Sequence, residues 1–386
     1  MDRLQFGIDT FLLRADEYQG LKLGLLTNDV ARTSYGMPGR LALQKMGFPL
    51  IRLFSPEHGL VATGADGAPQ KGGTDRLTGL PVISLYGGKF RPSANELDDL
   101  DAVIFDIPDA GCRFYTYTWT LSYMMEACAE AGKKIIVLDR PNPLGGDLAK
   151  AEGPMLDEVN CSSFIGRWNI PLRHCCTIGE LALYFKAVRL PELELEIVEM
   201  KNYTRSLTAM DGLWHFIPTS PAIRDAETAL LYPGMGLLEG INLNEGRGTP
   251  FDFKVCGAPW INEILLAEAF MSLQLPGITV QPLQYIPDWG LYAGETVHGL
   301  RMQVTDTTLF RPVRTGLELL RLLKSFYPAQ LRERLYPSAA NPDGRNHLDK
   351  LTGVKGSYAL LATDELISQT TETANWADRI GPCLLY

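Results

Sequence analysis

Glu57 is the residue in this sequence best placed to do chemistry. It lies in residues 55–59 (SPEHG), between Pro56, which restricts the backbone before it, and Gly59, which permits a tight turn after it. A carboxyl group held in this way can act as a general acid, and the neighbouring His58 could donate a hydrogen bond to a substrate. Adjacent residues in a strand point to opposite faces, so the pair is a poor metal motif.

Polar residues follow four short apolar runs of the first half. They are Asn28 after the first run, Glu57 and His58 after the second, Asp106, Asp109, Arg113, Tyr115 and Tyr117 after the third, and Asp139, Arg140 and Asn142 after the fourth. Any one of them could cap a turn or pair locally. Ligands bind beyond the carboxyl ends of parallel strands, so the coincidence of four such endings predicts a site.

A second polar cluster occupies residues 239–249 (EGINLNEGRGT). It combines Glu239, Asn242, Glu245 and Arg247 with three glycines, which let a backbone approach a ligand closely. The sequence therefore predicts a binding loop here. No Gly-x-Gly-x-x-Gly follows an early strand, which disfavours a nicotinamide enzyme, and we expect no cofactor and no metal.

The elements that must position these residues form an α/β pattern. Strands are predicted at 22–27, 49–54, 82–86, 101–107 and 134–139, with helices at 39–47, 93–99 and 119–132. Runs this apolar are typical of a parallel sheet covered on both faces. The run at 193–200 could extend the same sheet.

The second half has a different pattern. Helices are predicted at 177–187, 261–273, 313–327 and 358–368, with a strand at 299–305, among loops rich in Pro, Gly and Trp. We place a boundary near residue 200, which separates a parallel-sheet α/β domain at 1–200 from an α+β domain at 201–386.

Composition narrows the class of partner. The chain of 386 residues has a formal net charge of −9 and no basic stretch, which argues against nucleic acid, and its apolar runs are too short to span a membrane. The N-terminus does not resemble a signal peptide, so we expect a cytoplasmic protein, or an exported one if a precursor was trimmed. Seven cysteines, two of them adjacent, suit neither a disulfide framework nor a zinc site, and we expect free buried thiols.

Ordered motifs occur along nearly the whole chain. They are GLLTN (24–28), FSPEHG (54–59), TGLPV (78–82), SLYG (84–87), RFYTY (113–117), VLDRPNP (137–143), EGP (152–154), TIGELA (177–182) and EGRGT (245–249). Together these motifs resemble the NamZ family of exo-β-N-acetylmuramidases. The resemblance implies a Rossmann-like domain with a smaller auxiliary domain, an active site in the cleft between them, and Glu57 as the catalytic glutamate. The chain departs from the family pattern at Pro108, at Cys175, and at Ala222 and Ile223.

The resemblance implies release of non-reducing terminal N-acetylmuramic acid from peptidoglycan fragments during cell-wall turnover. Glu57 would protonate the leaving oxygen, and the second catalytic group would be Glu245, Asp106 or the substrate's own acetamido oxygen. The lactyl carboxylate would bind Arg140, Arg113 or Arg247. The residues predicted to bind substrate are Asn28, His58, Arg113, Tyr115, Tyr117, Asp139, Arg140, Asn142, Glu239, Asn242 and Arg247.

Two other functions fit parts of the pattern. One is a metal-dependent hydrolase that uses Asp106, Asp109, Asp139 and His58. The other is a muropeptide-binding protein without catalytic activity, which would retain its ligand without turnover.

Overall fold

A seven-stranded sheet forms the centre of the first half in the computed structural model, which describes residues 3–386. Its strands are β1 (Leu23–Thr27), β2 (Leu50–Ser55), β3 (Gly73–Thr74), β4 (Pro81–Ser84), β5 (Ala102–Asp106), β6 (Lys134–Leu138) and β9 (Leu195–Val198). They lie in the order β3-β4-β2-β1-β5-β6-β9, and all neighbours are parallel except β3 and β4. The five strands predicted for this sheet are confirmed, and so is its extension by β9.

The strand order reverses next to β1. From β1 the chain builds outward through β2 to β4, then crosses to the other side of β1 and continues outward through β5, β6 and β9. Such a reversal opens a crevice beyond the carboxyl ends of the strands, where ligands bind in doubly wound folds. Glu57 follows β2, one of the strands beside this point.

Two apolar cores cover the faces of this sheet. Side chains alternate along each strand, so that Leu25 and Ile104 belong to one core while Leu26 and Phe105 belong to the other. The first core is closed by the N-terminal residues, and the second continues without a break into the second half of the chain. The fold is therefore α/β, as predicted.

Two smaller sheets complete the strands. The hairpin of β7 (Glu152–Met155) and β8 (Pro171–Arg173) is antiparallel. The strands β10 (Val255–Ala258), β11 (Ile278–Tyr285) and β12 (Val297–Val304) form an antiparallel sheet in the order β10-β12-β11. The first sheet ends at Val198 and this one begins at Val255; a domain boundary at residue 200 stays a prediction.

Twelve α-helices surround these sheets among the described residues. They are α1 (Gly7–Phe11), α2 (Gly39–Lys45), α3 (Tyr117–Ala131), α4 (Glu158–Cys161), α5 (Ile178–Arg189), α6 (Ala226–Met235), α7 (Glu263–Ser272), α8 (Pro312–Phe326), α9 (His347–Thr352), α10 (Ser357–Leu360), α11 (Glu365–Ser368) and α12 (Trp376–Ile380). The helix predicted at 93–99 is only a short 3-10 turn at Ala94–Glu96, and the one at 358–368 is wrong as a single element, because α10 and α11 are separate. No helix in residues 3–386 is long and apolar enough to cross a bilayer.

Candidate active site

The Glu57 side chain is held in place beyond the end of β2. The chain turns sharply after it, with His58 at φ 65° and Gly59 at φ 73°. One carboxylate oxygen of Glu57 accepts a hydrogen bond of 2.9 Å from the backbone N–H of Gly67. Gly67 itself has φ 67°, and a Cβ there would lie 2.7 Å from the Cβ of Ser338, so glycine is required at this contact. The carboxylate is thus buried and fixed, with 7% of the residue exposed.

Glu57 lines a cavity of about 620 Å³, here called the Glu57 cavity. Its walls come from both halves of the chain. Its lining residues include Glu57, His58, Asp66, Tyr86, Tyr115, Ser220, Tyr232, Glu239, Arg247, Tyr336, Ser338 and His347. Carboxylates, a guanidinium, an imidazole and aromatic rings around one cavity are the groups that bind a sugar by hydrogen bonding and stacking.

Arg247 is surrounded by carboxylates. Its guanidinium forms ion pairs with Asp66 at 2.5 Å, with Glu245 at 3.1 Å, and with Glu239. Although burial lowers the pKa of Arg247, the charge of Glu239 acts against this, and the result is a pKa well above the ordinary value. Burial raises the pKa of Glu239, while Arg247 opposes that shift. Three carboxylates therefore hold the Arg247 guanidinium through its two terminal nitrogens, while the buried Nε has no partner among residues 3–386.

Aromatic side chains also line the cavity, among them Tyr86 and Tyr336. Burial raises the pKa of the Tyr86 hydroxyl, and the charge of Glu57 raises it further, so the phenol stays neutral beside that carboxylate. The ring of Tyr336 stacks on His347 with centroids 4.5 Å apart and 7° between the planes. Its hydroxyl lies 3.3 Å from a carboxylate oxygen of Glu239.

His347 lines this cavity, and its ring has unsatisfied hydrogen-bonding atoms. Neither ring nitrogen has a hydrogen-bond partner among residues 3–386, and both are buried. Burial, with the charges of Lys350 and Arg334 adding to it, lowers the pKa of His347 to about 3. The imidazole is therefore neutral at physiological pH, with one donor and one acceptor that no described residue satisfies.

His58 and the tyrosines of residues 113–117 lie on one side of the site. The His58 ring makes a 2.8 Å hydrogen bond through Nδ1 to the carbonyl of Gly64 and packs edge-on against Tyr117. Tyr115 lines the Glu57 cavity. Tyr117 does not line it; its hydroxyl donates to the carbonyl of Thr219 at 2.9 Å, so its role is to hold that loop.

Asp106 and Arg140 do not line the cavity. Arg140 Nε bonds Asp106 Oδ1 at 2.6 Å inside the protein, and Arg140 also donates to the carbonyl of Arg32 at 2.9 Å. The two strand-end charges therefore pair with each other, while Asp106 Oδ2 and Arg140 Nη2, both buried, have no hydrogen-bond partner among residues 3–386. We correct both assignments: Asp106 is not placed as a second catalytic group, and Arg140 is not placed to bind the lactyl carboxylate.

Arg113 is also occupied elsewhere. Its guanidinium donates to the backbone carbonyls of Pro154 at 2.6 Å, Ile170 at 3.0 Å, Leu351 at 3.1 Å and Thr352 at 2.6 Å. Burial lowers its pKa to about 10, so the group remains charged at neutral pH. Arg113 therefore has a structural role and not the predicted binding role. It joins the segment between β5 and α3 to Leu351 and Thr352.

Two predicted site residues of the first sheet stabilise turns and helix ends instead. Asp139 accepts hydrogen bonds of 2.8 Å from the Gly179 N–H at the start of α5 and of 2.8 Å from the Tyr386 hydroxyl. Asn142 bonds the carbonyl of Cys176 at 2.9 Å and the N–H of Leu144 at 2.9 Å.

Two further asparagines from the predicted set fix loops. The side-chain oxygen of Asn28 accepts from the Val30 N–H at 3.1 Å, in a turn after β1. Asn242 donates to the carbonyl of Gln330 at 3.0 Å and accepts from the Arg332 N–H at 2.7 Å. Neither lines the Glu57 cavity, so neither is placed to bind a ligand there.

The residues of the metal hypothesis are dispersed. Besides the contacts of Asp106 and Asp139, Asp109 accepts from the Gly111 N–H at 2.8 Å and the Thr118 hydroxyl at 3.1 Å, and lies 3.2 Å from His174. Residues 3–386 contain no group of three or more His, Cys, Asp or Glu side chains arranged to hold a metal ion. The four proposed ligands do not converge.

Sequence reasoning missed several residues of the site. Asp66, Tyr336 and His347 line the Glu57 cavity, and Arg334 lies in the adjoining one. Asp66 sits within a loop of small residues, and the other three follow helix α8, outside any glycine-rich or strand-end pattern. The stacked Tyr336 and His347 are eleven residues apart, so no local spacing signals the pair.

Comparisons with known proteins agree along the whole chain. The model of the N-terminal part of the exo-beta-N-acetylmuramidase NamZ matches residues 23–227, and that of its C-terminal part matches residues 230–386. The peptidoglycan beta-N-acetylmuramidase NamZ of Bacillus subtilis (strain 168) is 39% identical over 328 residues, which are 84% of this chain and 78% of that protein.

Two solved structures have the same fold. A DUF1343 family protein from Bacteroides fragilis is 28% identical with a TM-score of 0.88, covering 100% of this chain and 99% of its own. A second such protein from that organism, 24% identical with a TM-score of 0.76 and the same coverage, bears on the fold alone. On its sequence, its fold and the buried glutamate of its SPEHG motif, the chain belongs to the NamZ family of exo-β-N-acetylmuramidases.

Proposed function

We propose that this chain hydrolyses the β-glycosidic bond of a non-reducing terminal N-acetylmuramic acid in peptidoglycan fragments, with Glu57 as the general acid. One observation carries the assignment of Glu57: its carboxyl group is buried at the wall of a cavity that also contains other carboxylates and aromatic rings, and it is fixed by the Gly67 N–H. A group held in this way can deliver a proton to one defined atom of a bound sugar. Family membership supports the reaction class.

In the proposed reaction Glu57 gives its proton to the glycosidic oxygen as the bond from that oxygen to C1 breaks. The bonding electron pair leaves with the oxygen, and positive charge develops at C1 and the ring oxygen. The surrounding carboxylates of the Glu57 cavity stabilise that charge. Water then supplies the hydroxyl group at C1, and the remaining proton returns to the enzyme.

The second catalytic group is best sought among groups that share the cavity with Glu57. Asp66 and Glu239 line it, and both are ion-paired to Arg247. Glu245 faces the adjoining cavity instead. We therefore propose Asp66, Glu239 or the substrate's acetamido oxygen. Azide added to the Asp66→Asn and Glu239→Gln variants should restore turnover in the variant that has lost the nucleophile, and in neither if the acetamido group acts.

The leaving group provides the sharpest test of Glu57. A nitrophenolate departs without protonation, whereas a sugar hydroxyl does not. Glu57→Gln should therefore lower kcat/KM for an N-acetylmuramic acid–N-acetylglucosamine disaccharide by about a hundred- to ten-thousand-fold, and that for the nitrophenyl glycoside much less. Glu268→Gln, on an exposed part of α7, is the matched control.

Two results would contradict this proposal. Equal losses on both substrates would mean that Glu57 is not the proton donor. Wild-type protein that binds the disaccharide without cleaving it would favour the muropeptide-binding alternative. The melting temperature of each variant, measured in parallel, separates loss of catalysis from loss of folding.

We further propose that the enzyme works in a reducing compartment, which in a bacterium is the cytoplasm. All seven cysteines are free and buried in the structure, as the sequence predicted. Action there on fragments rather than on intact wall corresponds to recycling of cell-wall material.

A further inference from the structure

A second cavity adjoins the Glu57 cavity. It has a volume of about 1110 Å³, and we call it the side cavity. The two cavities share Asp66, Arg247 and Tyr336 as wall residues, so they lie side by side. The side cavity also contains two arginines that the Glu57 cavity lacks, Arg224 and Arg334.

The Glu57 cavity is poorly suited to an anion. Besides the Glu57 carboxyl group, which carries a proton in the proposed reaction, its walls contain the carboxylates of Asp66 and Glu239 and one guanidinium, that of Arg247. That guanidinium is already paired with Asp66 and Glu239 from this cavity and with Glu245 behind it. An added carboxylate would meet like charges at short range and no unpaired cation. An anionic substituent of the ligand must therefore point out of this cavity.

Arg334 is the least neutralised cation of the side cavity. Among residues 3–386 its one ion pair is with Glu245 at 3.4 Å, a long contact to a carboxylate that Arg247 holds at 3.1 Å. Arg224, by comparison, pairs with Asp252 at 2.6 Å. The guanidinium of Arg334 also lies 5.2 Å from the ring centroid of Tyr336, which lines both cavities.

Backbone hydrogen bonds join the segment that carries Arg334 to the loop at residues 239–249. The Arg334 N–H donates to the Gly240 carbonyl at 3.0 Å, and the Asn242 N–H donates to the Arg332 carbonyl at 3.0 Å. The Asn242 side chain accepts from the Arg332 N–H at 2.7 Å. Arg334 is therefore positioned beside the loop that contains Arg247, with its side chain 24% exposed and able to meet a ligand.

We propose that the side cavity is the anion site of this enzyme, and that Arg334 binds the carboxylate of the substrate's lactyl ether. This rests on the proposed function. N-acetylmuramic acid differs from N-acetylglucosamine only by that ether at O3, so an arginine that pairs with its carboxylate selects the former sugar. Asn242 is then a positioning residue for Arg334, which accounts for a polar side chain that does not reach either cavity.

The test compares two nitrophenyl glycosides that differ only in the lactyl group. Arg334→Ala should lower kcat/KM for the N-acetylmuramic acid glycoside by about ten- to a hundredfold, as loss of a charged hydrogen bond does, and leave the N-acetylglucosamine glycoside within about twofold. Arg334→Lys should recover part of the loss. Arg332→Ala, whose exposed side chain lies on the same segment outside both cavities, is the matched control.

Binding measurements keep this inference separate from the proposed reaction. Calorimetry with the free sugars should show that wild-type protein and Glu57→Gln both prefer N-acetylmuramic acid, and that Arg334→Ala removes the preference. If the wild-type protein binds N-acetylmuramic acid preferentially but cleaves no substrate, the proposed reaction is refuted and the anion site is still supported. Equal losses for both sugars in a folded Arg334→Ala protein, or an unchanged preference, would overturn the role of Arg334.

Discussion

Asp139, just after β6, should make the free energy of unfolding depend on pH, and Asp139→Asn should remove that dependence. Asp139 is fully buried, and burial raises its pKa to about 7, against the opposing hydrogen bonds from Gly179 and Tyr386. In the unfolded chain its pKa is about 3.9. Between these values the folded protein holds a proton that the unfolded chain has released. The free energy of unfolding therefore falls as the pH rises from about 4 to 7.

The magnitude follows from the two pKa values. Between pH 5 and pH 8 the linkage predicts that Asp139 alone lowers the free energy of unfolding of the wild type by about 2.5 kcal/mol. The amide of Asp139→Asn does not titrate, and its oxygen can still accept from the Gly179 N–H. The free energy of unfolding of Asp139→Asn, relative to that of wild type, should therefore rise by about 2.5 kcal/mol from pH 5 to pH 8.

Urea unfolding at pH 5, 6, 7 and 8 measures this difference. Asp98→Asn, at an exposed site, is the control and should track the wild type at every pH. A constant difference between Asp139→Asn and wild type would show that Asp139 is ionised in the folded protein, and would refute the reasoning. Because Asp139 lies outside the Glu57 cavity, kcat/KM of the folded variant should stay within about twofold of wild type.

Two further predictions concern buried side chains with opposite roles. Arg113→Met should lower the free energy of unfolding by about 3–5 kcal/mol, because four backbone carbonyls lose their donor, and denaturant titration that finds less than about 1 kcal/mol would contradict this. His347→Phe keeps the stacking on Tyr336 but removes both ring nitrogens, so kcat/KM should fall about tenfold while the melting temperature holds or rises. Full activity in His347→Phe would make that histidine a packing residue only.

The parallel sheet was predictable because its strands are buried on both faces. Runs such as those of β1 and β5 are continuously apolar, and this signal survives without any knowledge of neighbours. The strand β11 was missed because Gln281 and Pro282 interrupt its pattern. Proline is accepted there because β11 is an edge strand, paired only with β12.

The expectation that ligands bind beyond the carboxyl ends of parallel strands located Glu57, but it gave the wrong role to polar residues after the other strands. This expectation says where a polar group lies along a strand, and it does not say whether a protein partner already satisfies that group. Asp106 and Arg140 were each predicted to face a ligand, yet they lie opposite each other and form one buried pair. Asp139 likewise holds the start of α5, where a Cβ at Gly179 would lie 2.8 Å from the Asp139 carboxyl carbon.

Both halves of the chain contribute residues to the Glu57 cavity. The residues beyond 300 could not be predicted because tertiary packing, rather than a local motif, brings them to the cavity. The first half supplies Glu57 on a turn that its own sheet fixes, whereas Tyr336 and His347 belong to the second half. The halves share one continuous apolar core, and Arg113 adds bonds from the strand-end loop to Leu351 and Thr352. Walls held this firmly need little reorganisation as charge develops on a bound sugar, which is the condition under which fixed carboxylates stabilise a transition state most. The bonds of Arg113 and the electrostatics around Glu57 are therefore linked, because displacing the second half of the chain would move the Arg247 ion pairs away from Glu57.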